Sequence, residues 1–234
     1  MSDIEREPRR EGRLSIVATP IGNLEDITLR AIRTLREADA ILAEDTRRTR
    51  HLCTHHAIGT RLRSFHAHTP PARIAPLVEE LKGGAHLALV TDAGTPLVSD
   101  PGAQLVRAAA EAGVRVESIP GPSAALAALS SAGFAVPRFE FVGFLPRGGG
   151  RRTALLAELA KQRGAVVLFE APSRLAATLR DLAGAIGERP IAVCRELTKL
   201  HEEIVRGPLS HLLQVFTDRP SLKGEFVLVV GGPA

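Results

Sequence analysis

The sequence predicts an α/β protein of two domains, and three observations carry that prediction. Short runs of β-forming residues alternate with stretches whose apolar residues recur at helical spacing, which argues for a mainly parallel sheet. At 234 residues the chain falls between one large domain and two small ones. Over residues 120–137 the alternation is broken by PGPS and an alanine-rich stretch, after which a second strand and helix series begins. The boundaries that follow are a flexible tail over 1–12, an N-terminal domain over 13–122 and a C-terminal domain over 123–234.

The first strand is LSIVA (14–18), followed by the turn TPIGN (19–23). Asp26 is placed to cap a helix whose Ile27, Ala31, Ile32, Leu35 and Ala38 share one face. AILAE (40–44) and RLRSF (61–65) read as strands. A helix over 72–82 ends at Gly83-Gly84, with Pro76 weakening its first half. HLALVT (86–91) is the next strand; Pro101 opens a helix that stops at Gly113, and VRVESI (114–119) follows. Beyond the break, FEFVGF (139–144), AVVLFE (165–170), IAVCREL (191–197) and EFVLVV (225–230) read as strands. Helices are expected over 152–162, 173–186 and 208–216.

With 44% hydrophobic and 24% charged residues the chain can bury a sizeable core. No run of 18 uncharged apolar residues exists to span a membrane, and the charged first dozen residues lack the apolar stretch of a secretory signal. The two cysteines, Cys53 and Cys194, are far apart and outside any CxxC pattern, which fits a reducing cytoplasm. The net charge of +4 is modest but unevenly placed. Within residues 44–73, Glu44 and Asp45 stand against Arg47, Arg48, Arg50, Arg61, Arg63 and Arg73, together with five of the eight histidines. A second basic cluster joins Arg147, Arg151 and Arg152 around three glycines. Such clusters suit a phosphate backbone, although a solubilising face has the same composition. Trp and Tyr are absent, so any base stacking would rest on Phe or His, and backbone readout is expected to dominate.

In open α/β sheets ligands bind beyond the carboxyl ends of the strands. Three Gly- or Pro-rich loops fall there: TPIGN (19–23), DAGTPLVSDPG (92–102) and PGPS (120–123). Glycine lets backbone approach a ligand and proline limits the entropy lost on binding. None of them is a GxGxxG or GxxxxGK[ST] motif, which disfavours nicotinamide and nucleoside-triphosphate enzymes. A single such loop is usually a plain turn, but three in successive positions suggest a binding crevice.

In order along the chain stand IVATPIGNLEDITLRA, ILAEDTRRT, LVTDAGTPLVSDPG, IPGPSAALAAL, FVGFLPR, FEAPSRL, CRELTKLHEE and KGEFVLVV. Together they resemble the small-subunit ribosomal RNA 2′-O-methyltransferases that act on a cytidine, a branch of the tetrapyrrole-methylase superfamily. The resemblance runs from about Leu14 to Gly231, and its EDTR and RELTK segments set this branch apart from pigment and diphthamide methylases. It implies two α/β/α domains of the class III methyltransferase type, with S-adenosylmethionine in the cleft between them. It also implies a homodimer, no metal, and small-subunit ribosomal RNA, within the assembled subunit, as partner. By the same resemblance the donor contacts are Pro20, Ile21, Gly22, Asp92, Ala93, Gly94, Pro96, Ser123 and Ala124, with Glu170, Ala171, Glu225 and Phe226 from the second domain. Two departures stand out: His66-Ala67-His68-Thr69 where the family often has HxHN, and TDAG where SDAG is commoner.

Methyl transfer to a ribose hydroxyl is an in-line displacement that needs positioning, and a base or a cation favouring the alkoxide. Candidates to accept the proton are Asp45 and Glu196; candidates to stabilise the oxyanion are Lys199 and Arg195. Inter-domain salt bridges among the same residues are the plain alternative. RNA contacts are expected from Arg47, Arg48, His66 and His68, and from a flap carrying Arg147, Arg151 and Arg152. His51, Cys53, His55 and His56 are crowded but match no structural-zinc spacing, so packing is the better reading of Cys53. Two other functions remain open at this point: methylation of an anionic small molecule such as a tetrapyrrole, and non-catalytic ribosome binding.

Overall fold

The computed structural model describes residues 10–233; the expected tail lies for the most part outside the described residues. The chain divides between Ser123 and Ala124 into two compact units.

The first unit is built on strands β1 (Arg13–Val17), β2 (Ala40–Ala43), β3 (Leu62–Ser64), β4 (His86–Val90) and β5 (Arg115–Ile119). They form one wholly parallel sheet in the order β3-β2-β4-β1-β5. Its central strands are buried on both faces, as parallel strands covered by helices must be. Val17, Ile41, Ala43, Ala88 and Val90 pack with residues of α1 (Leu29–Glu37) and α2 (Thr46–His55). The alternate residues Leu14, Ile16, Leu42, Leu87 and Leu89 pack with α3 (Ile74–Lys82) and α4 (Ala103–Glu111). This period of two makes an α/β/α sandwich. The cap of α1 is not Asp26. Residues Leu24–Asp26 form a 3-10 turn, and the Thr28 hydroxyl accepts from the Ala31 N–H. Pro76 is accommodated in the first turn of α3, where no intrahelical donor is lost.

Away from the carboxyl ends of the strands, Ser15 and His86 are fully buried in one proton-ordered chain. Ser15 Oγ donates to Glu117 Oε1 (2.7 Å), so it must accept from His86 Nε2 (2.8 Å). His86 Nδ1 then accepts from the Arg13 guanidinium (3.2 Å), which fixes a neutral tautomer. Burial first, and then the Arg13 charge, push the His86 pKa down. Its folded value lies below the unfolded one, so its contribution to stability is present above the ordinary histidine range and is lost as pH falls through the folded value. Ser15→Ala should cost about 1–3 kcal/mol by stranding His86 Nε2–H and one Glu117 oxygen, measured by urea unfolding at pH 8. An unchanged midpoint would show that the chain of bonds contributes nothing.

The second unit contains α5 (Ala124–Ser131), β6 (Phe139–Phe144), α6 (Gly149–Leu159), β7 (Ala165–Glu170), α7 (Leu175–Ile186), β8 (Pro190–Arg195), β9 (Glu203–Pro208), α8 (Leu209–Thr217) and β10 (Phe226–Val230). Its sheet runs β6-β7-β10-β8-β9 and is mixed. Only β6 and β7 pair in parallel, while β10 is antiparallel to both β7 and β8. Helices α6, α7 and α8 cover one face through Leu156, Leu159, Leu175, Leu179, Leu182, Leu212 and Phe216. The small residues of α5 pack against β10 and β7 apart from that cluster.

Candidate active site

The crevice of the first unit follows from its topology. β1 and β4 are neighbours, yet the chain leaves β1 toward α1 on one face and leaves β4 toward α4 on the other. Loops that part in this way open a gap at the carboxyl ends of two adjacent strands. Short contacts lace the three glycine- and proline-rich loops together there. Thr19 and Gly94 exchange both backbone hydrogen bonds (2.9 and 3.0 Å) and the Thr95 hydroxyl donates to the Pro122 carbonyl (3.2 Å), while beneath them the Ala18 N–H continues the β1–β5 pairing to the Ile119 carbonyl (3.2 Å). Gly94 has φ +80°, and a Cβ there would stand 3.4 Å from Ile21 and 3.8 Å from the Pro122 carbonyl. Pro20, Ile21, Gly94 and Pro96 are buried supports, Asp92 and Ser123 are half-buried, and Gly22 and Ala93 are exposed. Leu97 (φ 73°) and Ser99 (φ 70°) hold left-handed backbone in the second loop. Non-glycine residues adopt that region at a cost, and such strain gathers at functional loops.

Four carboxylates lie about this crevice. Asp92 Oδ1 accepts from the Asp45 N–H (2.9 Å), and Glu44 accepts from the Thr91 hydroxyl (2.9 Å). Asp45 caps α2, and the Arg47 guanidinium and N–H hold its pKa well below the usual carboxylate range. This corrects the expectation that Asp45 accepts a proton: both of its oxygens are engaged and it stays ionised. The fourth carboxylate, Asp100, was not singled out in the sequence. Burial, followed by the charges of Glu44 and Asp92, raises its pKa from 3.8 to about 6, against the opposing influence of the neighbouring Thr91 hydroxyl. An acid before Pro-Gly in a ligand-side loop was the available signal.

In the second unit RELTK and KGEF are interlocked. Glu196 (φ 51°) and Thr198 (φ 66°) make a tight turn. Lys199 Nζ donates to Glu196 Oε1 (2.9 Å) and Glu225 Oε2 (3.0 Å), and Glu196 Oε1 also accepts from the Glu225 N–H (2.9 Å). Burial alone would lower the Lys199 pKa, but the bonds it donates to both glutamates outweigh it and raise it. Lys199 is therefore a fixed cation and no base. Burial likewise opposes ionisation of Glu196, and the Lys199 and Glu225 N–H bonds overcome it, so its pKa is lowered. Glu196, expected as an alternative base, is thus the counter-ion of Lys199. Arg195 donates to the Lys223 carbonyl (2.8 Å) and stands 3.7 Å from Glu203, so it braces the sheet end. Gly224 (φ 98°) leaves room for this lock, since a Cβ would lie 2.6 Å from Glu196 Cγ.

Three further expectations need correction. The Glu170 carboxylate is buried and spent on the Ala171 N–H (2.8 Å), the Thr178 hydroxyl (2.5 Å) and Arg174 (3.2 Å), so its side chain does not reach out to a ligand. The Phe226 ring is in the core, edge-on to Phe216. Arg152 is not an RNA-facing flap residue; it is buried in α6 and bonds Asp181 (2.7 Å), Thr178 (3.0 Å) and the Pro146 carbonyl (2.9 Å). Arg152→Ala should destabilise the fold by about 2–4 kcal/mol in denaturant titration, because it strands those partners, while RNA affinity is unchanged. Lost RNA affinity at undiminished stability would reverse that assignment. Arg147 and Arg151 are exposed, as are His66 and His68. Thr69, where the family often has Asn, accepts from the His66 N–H (2.8 Å) and closes the turn. Cys53 packs in the core while His51 and His55 face outward, so α2 turns Cys53 away from the histidines, of which His55 and His56 meet edge to face at 4.7 Å. No group of metal-holding side chains occurs among the described residues.

A sequence profile of the tetrapyrrole (corrin/porphyrin) methylases matches residues 13–213. The chain is 48% identical to the ribosomal RNA small subunit methyltransferase I of Thermotoga maritima, over 94% of this chain and 99% of that protein. It is 49% identical to the protein of the same name from Synechocystis sp., over 94% and 79%. Among solved structures, diphthine synthase superposes with a TM-score of 0.72 at 17% identity, over 94% of this chain and 90% of that one. A uroporphyrin-III C-methyl transferase from Thermus thermophilus, complexed with S-adenosyl homocysteine, superposes at 0.65 with 21% identity, over 94% and 97%. At such identities these structures share the fold with this chain.

Proposed function

Because the chain belongs to the tetrapyrrole (corrin/porphyrin) methylase family, in the branch of the ribosomal RNA small subunit methyltransferases I, we propose that it methylates the 2′-hydroxyl of a cytidine in small-subunit ribosomal RNA. It is an S-adenosylmethionine-dependent ribosomal RNA methyltransferase; the ribose and the cytidine are the finer reading. The observation that carries this reading is the lacing of three ligand-side loops at the divergence of β1 and β4. The residues fit the donor: Gly94 holds the left-handed backbone (φ +80°) that turns the second loop against Ile21, and exposed Gly22 and Ala93 let a ligand meet backbone. When bound, S-adenosylmethionine supplies an electrophilic methyl on a sulfonium. The chain's part is to hold the loops rigid, align the ribose and manage one proton.

The acid suited to that proton is Asp100, half-buried and with a pKa near 6, so it is ionised yet basic at neutral pH. Lys199, held as a cation by Glu196 and Glu225, is proposed to meet the developing alkoxide or a phosphate by exchanging its exposed partner Glu225 for that anion. Ala124, Ala171 and Glu225 are retained as donor contacts in the second unit, while the Glu170 and Phe226 side chains are withdrawn. Arg47, Arg48, His66, His68, Arg147 and Arg151 remain the proposed RNA contacts. Assembly as a homodimer, action on the assembled subunit and a cytoplasmic location belong to the same proposal.

The test is transfer of labelled methyl from S-adenosylmethionine to small ribosomal subunits, followed by digestion to nucleosides. Label in 2′-O-methylcytidine is expected. Label on a base, or on a tetrapyrrole in place of RNA, would overturn the reading.

A further inference from the structure

Most cations of the first unit's far face are spent on neighbours. Arg63 pairs with Glu80, Lys82 with Glu79 and Arg107 with Glu111, so α3 and α4 carry the usual neutralised surface. The outward face of α1 and α2 differs. Arg36 donates to the His56 carbonyl (2.6 Å) and Arg47 is tied to Asp45, while Arg48 approaches Asp92 at 3.5 Å. Arg30, Arg33 and Arg50 are exposed and form no ion pair among the described residues. α2 contains no acid at all, so no pairing within the helix is open to Arg50.

The two helices sit on one side of the sheet, sharing one apolar cluster, and are joined through Arg36, His56 and the Leu24 carbonyl. α1 follows the TPIGN loop and α2 follows Glu44 and Asp45, so both start beside the crevice. Like charges that form no ion pair on adjacent helices weaken the fold slightly, even with the exposed Glu25 and Asp26 ahead of α1, and a polyanion relieves them. On α1 the arginines are spaced i, i+3, about 5–6 Å between Cβ atoms, comparable to the step between successive phosphates of one strand. The chain has no Trp or Tyr, and the Phe nearest in sequence, Phe65, is buried. The face therefore reads charge and spacing, with no platform for stacking bases.

We propose that Arg30, Arg33 and Arg50 form a phosphate-gripping face that holds the RNA strand beside the donor loops, distinct from Arg47 and Arg48, whose charges are already engaged. This rests on the RNA methyltransferase reading above and names the surface that reading requires.

The test compares the wild type with Arg30→Ala/Arg33→Ala/Arg50→Ala, using small ribosomal subunits and their extracted RNA as probes across a range of salt. The triple variant should bind at least about tenfold more weakly at low salt, with the slope of log K against log salt reduced by about 2–3. Affinity for S-adenosylmethionine and the melting temperature should not fall, and Arg107→Ala on α4 should behave as wild type. Wild-type affinity and slope in the triple variant would overturn the proposal. So would undiminished RNA binding alongside loss of binding to phosphatidylserine vesicles, which would assign the face to lipid. If wild type itself transfers no methyl to RNA, the functional reading fails, a result distinguishable from a fully active triple variant.

Discussion

Gly94→Val is expected to weaken S-adenosylmethionine binding by at least about 100-fold while the protein remains folded. At φ +80° a β-branched residue is strained by about 1–2 kcal/mol, a modest part of a typical domain's ~5–15 kcal/mol. Its Cβ would already stand 3.4 Å from Ile21, and the two methyls beyond it must enter the crevice or push apart the Thr19–Gly94 bridge. Either outcome removes the cradle. Calorimetric titration with the donor reads the affinity and a melting curve reads the strain. Gly94→Ala, with one methyl, should show a smaller loss of both. Normal donor affinity with a lowered melting temperature would make Gly94 a purely conformational residue and take the second loop out of the site.

Asp100→Asn should make the protein more stable and nearly inactive. The folded pKa of about 6 lies above the ordinary 3.8, so the protonated form favours the fold. That contribution is fully present below pH 3.8 and is lost as pH rises through 6. Above neutrality the ionised carboxylate therefore costs stability: about 3 kcal/mol for the whole shift, and about 1–2 kcal/mol once its half exposure is allowed for. The variant's advantage in urea should vanish near pH 4 and reach a plateau above pH 7. Methyl transfer should fall at least about 100-fold, because the amide cannot take the ribose proton. A residue that weakens the fold and is needed for turnover fits the trade between stability and function. Full activity in the variant, with an unaltered pH profile, would exclude Asp100 as the proton acceptor.

Strand positions were legible because buried β runs between glycine and proline turns leave few alternatives, and the three loops were legible because ligand-side turns punctuate those runs. Pairing was not legible. Nothing in EFVLVV states that it lies antiparallel between β7 and β8, since period and composition say nothing of partner or direction. β9, EIVRGP, was missed because its alternation is short, half-exposed and ends in Gly-Pro. Arg152 was misread because charges cluster around it, although Arg152, Leu156 and Leu159 fall at i, i+4 and i+7 and mark the inner face of α6. Resemblance named Glu170 and Phe226 as donor contacts, but a motif does not say which way a side chain points, and both side chains are turned inward. Asp45 and Glu196 were sensible bases by residue type; only their neighbours show that both are held ionised.

The place of β10 has a consequence for synthesis. The strand nearest the carboxyl end of the chain is the middle plank of its sheet, with β7 on one side and β8 on the other. Until it leaves the ribosome, those two strands have exposed rims and no partner to join them, a state prone to mispairing. The first unit needs nothing from beyond Ser123 to complete its own parallel sheet. Birth of the protein should thus be asymmetric, with an early, protease-resistant half carrying a late one that closes only when β10 arrives.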